Sequence, residues 1–172
     1  MSRFALAAAL GLALLADGCG YHVAGRADAL PKNIKTIAIP AFGNSTALNH
    51  LATRLPADIT REFISRTRYR VVTDPTAADA VLTGSILKSF SYASTLDPVT
   101  ARASSAVISV NLTLTLTDRA TGKVIYTRNF DAHERYEISP AADTYFEESD
   151  AAISRMSRDV ARDAVSAILE KF

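Results

Sequence analysis

The sequence predicts an α+β domain, a two-layer sandwich in which two amphipathic helices pack on one face of a mixed sheet of about four to five strands. Two long segments carry apolar residues at helical spacing, one before and one after a strand-rich region. Within that region, leucine and threonine alternate with the period of a half-buried strand. A short apolar strand precedes the first helix, so the predicted order is β-α-β-β-β-α.

The first strand and the first helix lie between residues 34 and 66. IKTIAIP (34–40) predicts a short strand that is buried on both faces. FGNST has turn chemistry, and we expect Asn44 or Ser45 to cap the helix that follows. That helix runs from Ala47 to Arg66, and Pro56 is expected either to kink it or to start a second segment. Its apolar stripe comprises Leu48, Leu51, Leu55, Ile59 and Phe63.

The strand-rich region follows. YRVV is a short strand, TDPTAAD a turn, and AVLTGSILKSFSYAS a longer strand in which Gly84 is the expected bulge. LDPVTARASS is a polar loop. From Ala106 to Thr117 leucines and hydroxyl residues alternate, which places them on opposite faces. DRATGK forms a hairpin loop, Gly122 supplies its permissive conformation, and Val124 to Glu137 returns as the partner strand.

The second helix is predicted from about Asp143 to Lys171, after the break at Pro140. Its apolar stripe is more typical of a core than of a partner-binding surface, and comprises Ile153, Met156, Val160, Ala164 and Ile168. We expect both helices to cover the leucine face of the sheet. The threonine face then points away from the core, which an antiparallel sheet tolerates.

The N-terminal segment has the pattern of a secretory signal. A positive start ending at Arg3 precedes the apolar run from Phe4 to Ala16. As a helix this run would span roughly 20 Å, short of the ~30 Å hydrocarbon core of a bilayer. A buried N-terminal helix is the alternative, but the run has no polar face. We therefore assign residues 1–18 to a signal peptide.

Cys19, the single cysteine of the chain, follows directly. One cysteine excludes an intramolecular disulfide. The Leu-rich run before Gly18 and Cys19 resembles the bacterial lipobox, although Asp17 departs from its pattern of small residues. The resemblance implies a diacylglycerol and an N-linked acyl chain such as palmitate on Cys19, and Gly20 after it favours the outer membrane. Residues 19–33 then form the lipidated N-terminus and tether, and residues 34–172 a single domain.

No pattern in the sequence predicts catalysis, a metal site or another cofactor. The three histidines are His22, His50 and His133, and no HExxH, HxH, CxxC or GxSxG motif occurs. The formal net charge of +1, without interleaved aromatic and basic residues, disfavours nucleic-acid binding. Basic residues near loops are either solvated surface charges or contacts to an anionic ligand. They are Arg102, Arg119, Lys123 and Arg128.

The chain contains, in order, GCGYH followed by LP, IAIPAFGN, LPADITREFISRTRYRVV and ADAVLTGSI. These segments resemble the lipopolysaccharide-assembly lipoprotein family, LptE, in the divergent form found outside the enterobacteria. The resemblance implies an outer-membrane lipoprotein, without enzymatic activity, that lies inside the LptD β-barrel, assists its assembly and binds lipopolysaccharide. It also implies that basic residues on strand-connecting loops contact lipopolysaccharide, and Arg102, Arg119 and Lys123 occupy comparable loops.

Two other functions stay open on the sequence. ADAVLTGSI and the D-x-x-T-G-x-V pattern also occur in other periplasmic lipoproteins, so a regulatory lipoprotein that activates a cell-wall synthase is the main alternative. A hydrolytic enzyme centred on His133 is the third and is the least supported.

Overall fold

A computed structural model describes residues 30–138 and 145–172. The predicted signal peptide, Cys19, most of the tether and Pro140 lie outside this range. The described elements are β1 (Thr36–Ala38), β2 (Gly43–Asn44), α1 (Asn49–Arg66), β3 (Arg70–Val72), a 3-10 turn (Pro75–Ala77), β4 (Ala80–Leu96), β5 (Ala103–Asp118), β6 (Val124–Glu137) and α2 (Tyr145–Glu170).

The strands form one mixed sheet, which confirms the predicted α+β class. The order is β3-β1-β4-β5-β6, and β2 pairs with β4 beyond the end of β1. β1 runs parallel to β3 and β4, whereas β4, β5 and β6 form an antiparallel meander. The sheet has six strands, more than predicted, and the element order is β-β-α-β-β-β-β-α. The additional strand, β2, comes from FGNST, where Gly43 and Asn44 pair with Ser85 and Ile86.

The start of α1 differs from the prediction. The helix begins at Asn49, its N-cap is Leu48, and no side chain caps it. The Asn44 side-chain carbonyl instead accepts hydrogen bonds from the backbone N–H and hydroxyl of Thr46, at 2.9 and 2.8 Å, and so stabilises the turn before the helix. Pro56 does not start a second segment, because α1 continues through it to Arg66.

Both predicted apolar stripes lie in the core, except that Leu48 is only partly buried. The helices run parallel, because successive contacts advance in the same direction along both. Arg54 contacts Asp150 at 3.4 Å, the Ser157 hydroxyl donates to Asp58 at 2.6 Å, and Arg66 donates to the Ser166 hydroxyl at 2.8 Å. The leucine face of β5 is buried as predicted, and comprises Ile108, Val110, Leu112, Leu114 and Leu116.

The prediction of a bulge at Gly84 is wrong. Gly84 pairs in register with Leu114, and the register shift falls between Ile86 and Lys88, at Leu87. Glycine is needed at position 84 for another reason. A Cβ atom there would lie 2.5 Å from Cδ2 of Phe42, so the phenyl ring occupies the space of a side chain.

Candidate functional site

The sheet face opposite the helices carries mainly hydroxyl and amide side chains, and we call it the polar face. It comprises Thr83 and Ser85 of β4, Asn111, Thr113, Thr115 and Thr117 of β5, and Thr127, Asn129 and Asp131 of β6. These residues alternate along their strands with side chains of the helix-covered face, mostly core residues, so the period of two places them here.

Side chains of the polar face hydrogen-bond across the strands. The Thr113 hydroxyl donates to the Asn129 carbonyl oxygen at 2.8 Å, and the hydroxyls of Thr115 and Thr127 lie 3.2 Å apart. Asn111 donates to the carboxylate of Asp131. This pairing holds the side chains in place while they remain accessible to solvent or to a partner. The polar face can therefore offer hydrogen-bond donors and acceptors with little loss of side-chain conformational entropy on binding.

The polar face changes character beyond the register shift at Leu87. Because one residue is added there, the side chains of Phe90 and Tyr92 join the polar face, opposite Ser109 and Val107 of β5. The two rings stack with centroids 6.0 Å apart, and their side chains are 54% and 50% exposed. The alternation in SFSYAS is a sequence signal for this aromatic pair, which was not among the predicted functional residues.

The turn between β4 and β5 holds Arg102 at one end of the sheet, which we call the Asp97 end. The Asp97 carboxylate accepts hydrogen bonds from the backbone N–H groups of Thr100 and Val99, at 2.7 and 3.0 Å. These bonds, with one from the Thr100 hydroxyl, lower the pKa of Asp97. Val99 is 90% exposed and Leu96 is 58% exposed, so Arg102 lies on a turn with uncovered apolar side chains.

The turn between β5 and β6 holds Arg119 and Lys123 at the opposite end, which we call the Leu30 end. Gly122 adopts a φ of +68°, as its predicted role requires. The Arg119 guanidinium donates through Nε to the carbonyl of Ala78 at 2.5 Å, so part of its hydrogen-bonding capacity is used within the fold. Lys123 is exposed.

Asp79 connects the same end to β1. Its pKa is lowered, first by the backbone N–H of Lys35 and then by the hydroxyl and backbone N–H of Thr36, each 2.9 Å from the carboxylate. These hydrogen bonds fix the start of β1 beside the start of β4.

The structure does not bring the three predicted ligand residues together. β5 spans Ala103–Asp118, and at about 3.3 Å per residue its ends are roughly 50 Å apart. Arg119 and Lys123 share one turn, but Arg102 lies at the other end of that strand. One phosphate group therefore cannot contact all three.

Candidate metal ligands do not cluster among the described residues. Across 30–138 and 145–172, no three His, Cys, Asp or Glu side chains are arranged to hold a metal ion. His50 and His133 are exposed, and His22 and Cys19 fall outside these ranges. Neither α1 nor α2, the helices in these ranges, has the length and apolar composition that a membrane span requires.

Three solved structures have a similar fold. The PelC dodecamer from Paraburkholderia phytofirmans gives a TM-score of 0.56 at 15% identity, covering 83% of this chain and 93% of that one. A lipoprotein from Caulobacter crescentus CB15 gives 0.55 at 12% identity, covering 76% and 88%. Rare lipoprotein B from Shewanella oneidensis gives 0.54 at 13% identity, covering 79% and 95%. At these identities the likeness concerns the fold alone.

A comparison with curated proteins finds no match. The family model described as "LptE: Lipopolysaccharide-assembly" matches residues 34–168, which include every strand and nearly all of both helices. The match spans well over half of the chain, so this chain belongs to the LptE family of lipopolysaccharide-assembly lipoproteins.

Proposed function

We propose that this chain is the lipoprotein subunit of the lipopolysaccharide export barrel, anchored in the outer membrane through acyl chains on Cys19. In this role it lies inside the LptD β-barrel, assists its assembly and contacts lipopolysaccharide on the way to the cell surface. Family membership supports a role in lipopolysaccharide assembly. The polar face is the observation that supports a position inside the barrel.

The polar face has the chemistry of a surface that packs in a barrel lumen. The interior of an outer-membrane barrel is polar, so its wall presents hydrogen-bonding side chains and water. Thr113, Thr115 and their partners on β6 can exchange hydrogen bonds with such a wall. An apolar partner would satisfy none of the donors and acceptors that remain beyond this pairing, and burying an unsatisfied group costs about 1–3 kcal/mol.

The anchor explains how the domain stays at the membrane. One acyl chain gives only marginal, reversible binding, whereas two or three hold a protein stably. A diacylglycerol with an N-linked acyl chain on Cys19 would provide this attachment on the periplasmic side of the outer membrane. Replacing Cys19 with Ala should abolish recovery of the mature protein with membranes.

The structure favours the Asp97 end for lipopolysaccharide contact. Lipopolysaccharide carries phosphate groups beside acyl chains, and Arg102 lies on the turn that exposes Val99 and Leu96. An arginine can bind phosphate through two parallel N–H groups while apolar neighbours contact acyl chains. Arg119 is less suited, because its Nε already donates to Ala78. Lys123 beside it remains a secondary candidate.

Site-specific crosslinking in cells tests the barrel-facing surface. A photoreactive residue at Thr113 should give adducts with a large outer-membrane β-barrel, and the matched variant at Asp159, exposed on α2, should give fewer. Adducts with a cell-wall synthase would favour the regulatory alternative. Purification of the lipidated protein without a barrel in mild detergent, with normal surface lipopolysaccharide after its depletion, would overturn the proposal.

A further inference from the structure

A cleft at the Leu30 end combines an apolar floor with a basic rim. It has a volume of about 370 Å³, and its lining residues are Leu30, Lys32, Ile34, Lys35, Arg68 and Tyr69. Leu30, Ile34 and Tyr69 are almost fully buried, whereas the three cationic residues are exposed. None of the six is acidic, so the cleft is suited to an anionic group.

The lysines project from a segment that the fold holds in place. The Tyr69 hydroxyl accepts a hydrogen bond from the backbone N–H of Leu30 at 2.8 Å, and Ile34 donates to the carbonyl of Pro31 at 2.8 Å. No carboxylate in the described ranges forms an ion pair with the ammonium group of Lys32 or Lys35. Their charges are therefore available to a partner.

The sequence places this cleft close to the expected lipid anchor. Cys19 precedes Leu30 by eleven residues, which reach about 40 Å at most when fully extended. The Asp97 end lies roughly 50 Å farther along β5. If acyl chains hold Cys19 in a bilayer, the Leu30 end is the part of the domain that first meets the bilayer surface.

We propose that this cleft docks on the anionic phospholipid headgroups of the membrane in which Cys19 is anchored. Lys32 and Lys35 bind headgroup phosphates and hold the Leu30 end at the level of the headgroups, and in vesicles without the barrel this leaves the Asp97 end pointing away from the bilayer surface. The inference rests on the lipid attachment that the proposed function includes. Near an anionic leaflet each lysine favours the docked state about 5.4-fold, so loss of both lowers the ratio of docked to undocked protein about 30-fold.

A single fluorescent probe can measure docking in the mature lipidated protein. Acylation occupies the only native thiol, so Ser65→Cys, in the last turn of α1 near the cleft, can be labelled alone. The protein is reconstituted into phosphatidylcholine vesicles with or without phosphatidylglycerol, each containing a lipid with a quenching headgroup. We expect strong quenching at Ser65→Cys only with phosphatidylglycerol, and little at Val99→Cys in either.

Charge reversal supplies the decisive comparison. Lys32→Glu with Lys35→Glu should remove the quenching at position 65, and added salt should weaken it in the unaltered protein. Arg158→Glu with Arg162→Glu, which changes the net charge equally on the exposed side of α2, should leave it intact. Circular dichroism verifies that each variant is folded.

The results separate this inference from the proposed function. Equal quenching in both vesicle types, or quenching that survives reversal of both lysines, overturns headgroup docking and leaves the barrel role standing. A mature chain that mass spectrometry shows without acyl groups overturns the anchor and this inference together. Normal barrel association by the double lysine variant is expected, because the docking surface is distinct from the polar face.

Discussion

Gly84 should tolerate no side chain while Phe42 keeps its position. A Cβ atom at residue 84 would lie 2.5, 2.6 and 2.7 Å from Cδ2, Cε2 and Cγ of Phe42. Ordinary carbon contacts are about 3.5–4.0 Å, so the ring would have to move by about 1 Å. Phe42 is 6% exposed, and the next residue, Gly43, pairs with Ser85, so little room exists for that movement.

The cost of Gly84→Ala follows from two opposing effects. Overpacking a well-packed core costs about 1–3 kcal/mol. Replacing a glycine within a strand recovers about 0.5–1 kcal/mol, because the unfolded chain loses freedom. We therefore expect a net loss of about 1–2 kcal/mol in the free energy of unfolding. At about 2–4 °C per kcal/mol, the melting temperature should fall by roughly 2–8 °C.

Denaturant unfolding followed by circular dichroism would test this with a double-mutant cycle. Phe42→Leu removes the ring, so Gly84→Ala should cost less in that background than in the unaltered chain. Gly43→Ala is the matched control, because its Cβ would lie 3.5 Å from the Ser85 hydroxyl, an ordinary contact. Equal stability of Gly84→Ala and the unaltered protein, or an unchanged cost of Gly84→Ala beside Phe42→Leu, would refute the steric conflict with Phe42.

Three further predictions concern the helix interface, acid stability and ligand binding. Ser157→Ala should lower the free energy of unfolding by about 1–3 kcal/mol, because it removes the buried hydrogen bond to Asp58; an unchanged denaturation midpoint would contradict this. Asp79 has a pKa lowered below 3.8, so its stabilising contribution is complete above that pH and disappears as the pH falls through its folded value. The stability gap between the unaltered protein and Asp79→Asn should therefore be full at neutral pH and close below pH 3.8, and a gap independent of pH would refute this linkage. In calorimetry, Arg102→Glu should weaken lipopolysaccharide binding by about 10-fold or more, and Arg119→Glu should weaken it by less. The two effects should multiply in the double variant, because the two residues are far apart. Strong coupling between them would show instead that one ligand group contacts both residues.

The sequence predicted those parts of the fold in which one periodicity dominates. The alternation from Ala106 to Thr117 determines which face of β5 is buried, because a shift of one residue would expose all its leucines. The stripe from Leu51 to Phe63 likewise determines the buried side of α1. Both predictions are confirmed because burial of apolar area outweighs local propensities over such lengths.

Features that depend on contacts distant in the sequence were not predictable. Asp58 lies beside the apolar stripe of α1. It is buried only because α2 packs against α1 and places Ser157 next to it. The turn residues Gly43 and Asn44 become a strand because β4 extends past β1 and offers them an edge. Arg102 and Arg119 lie at opposite ends of the sheet because β5 is long. The shorter strand predicted from the sequence already implied this separation, but the local motifs around the two arginines did not reveal it.

The register shift at Leu87 divides the polar face into two surfaces with different chemistry. Before it, the side chains of β4 on this face are hydroxyls such as Thr83 and Ser85; after it, they include Phe90 and Tyr92. Without the added residue, the alternation would place the two aromatic rings on the same side as Ile86. The hydroxyl part lies toward the Leu30 end and the aromatic part toward the Asp97 end. A domain held at the membrane by its Leu30 end would therefore present hydrogen-bonding groups nearest the anchor. Its aromatic and apolar groups would lie farthest from the anchor, together with Arg102. At that end, Arg102 can contact the phosphate of an amphipathic lipid while the apolar groups contact its acyl chains.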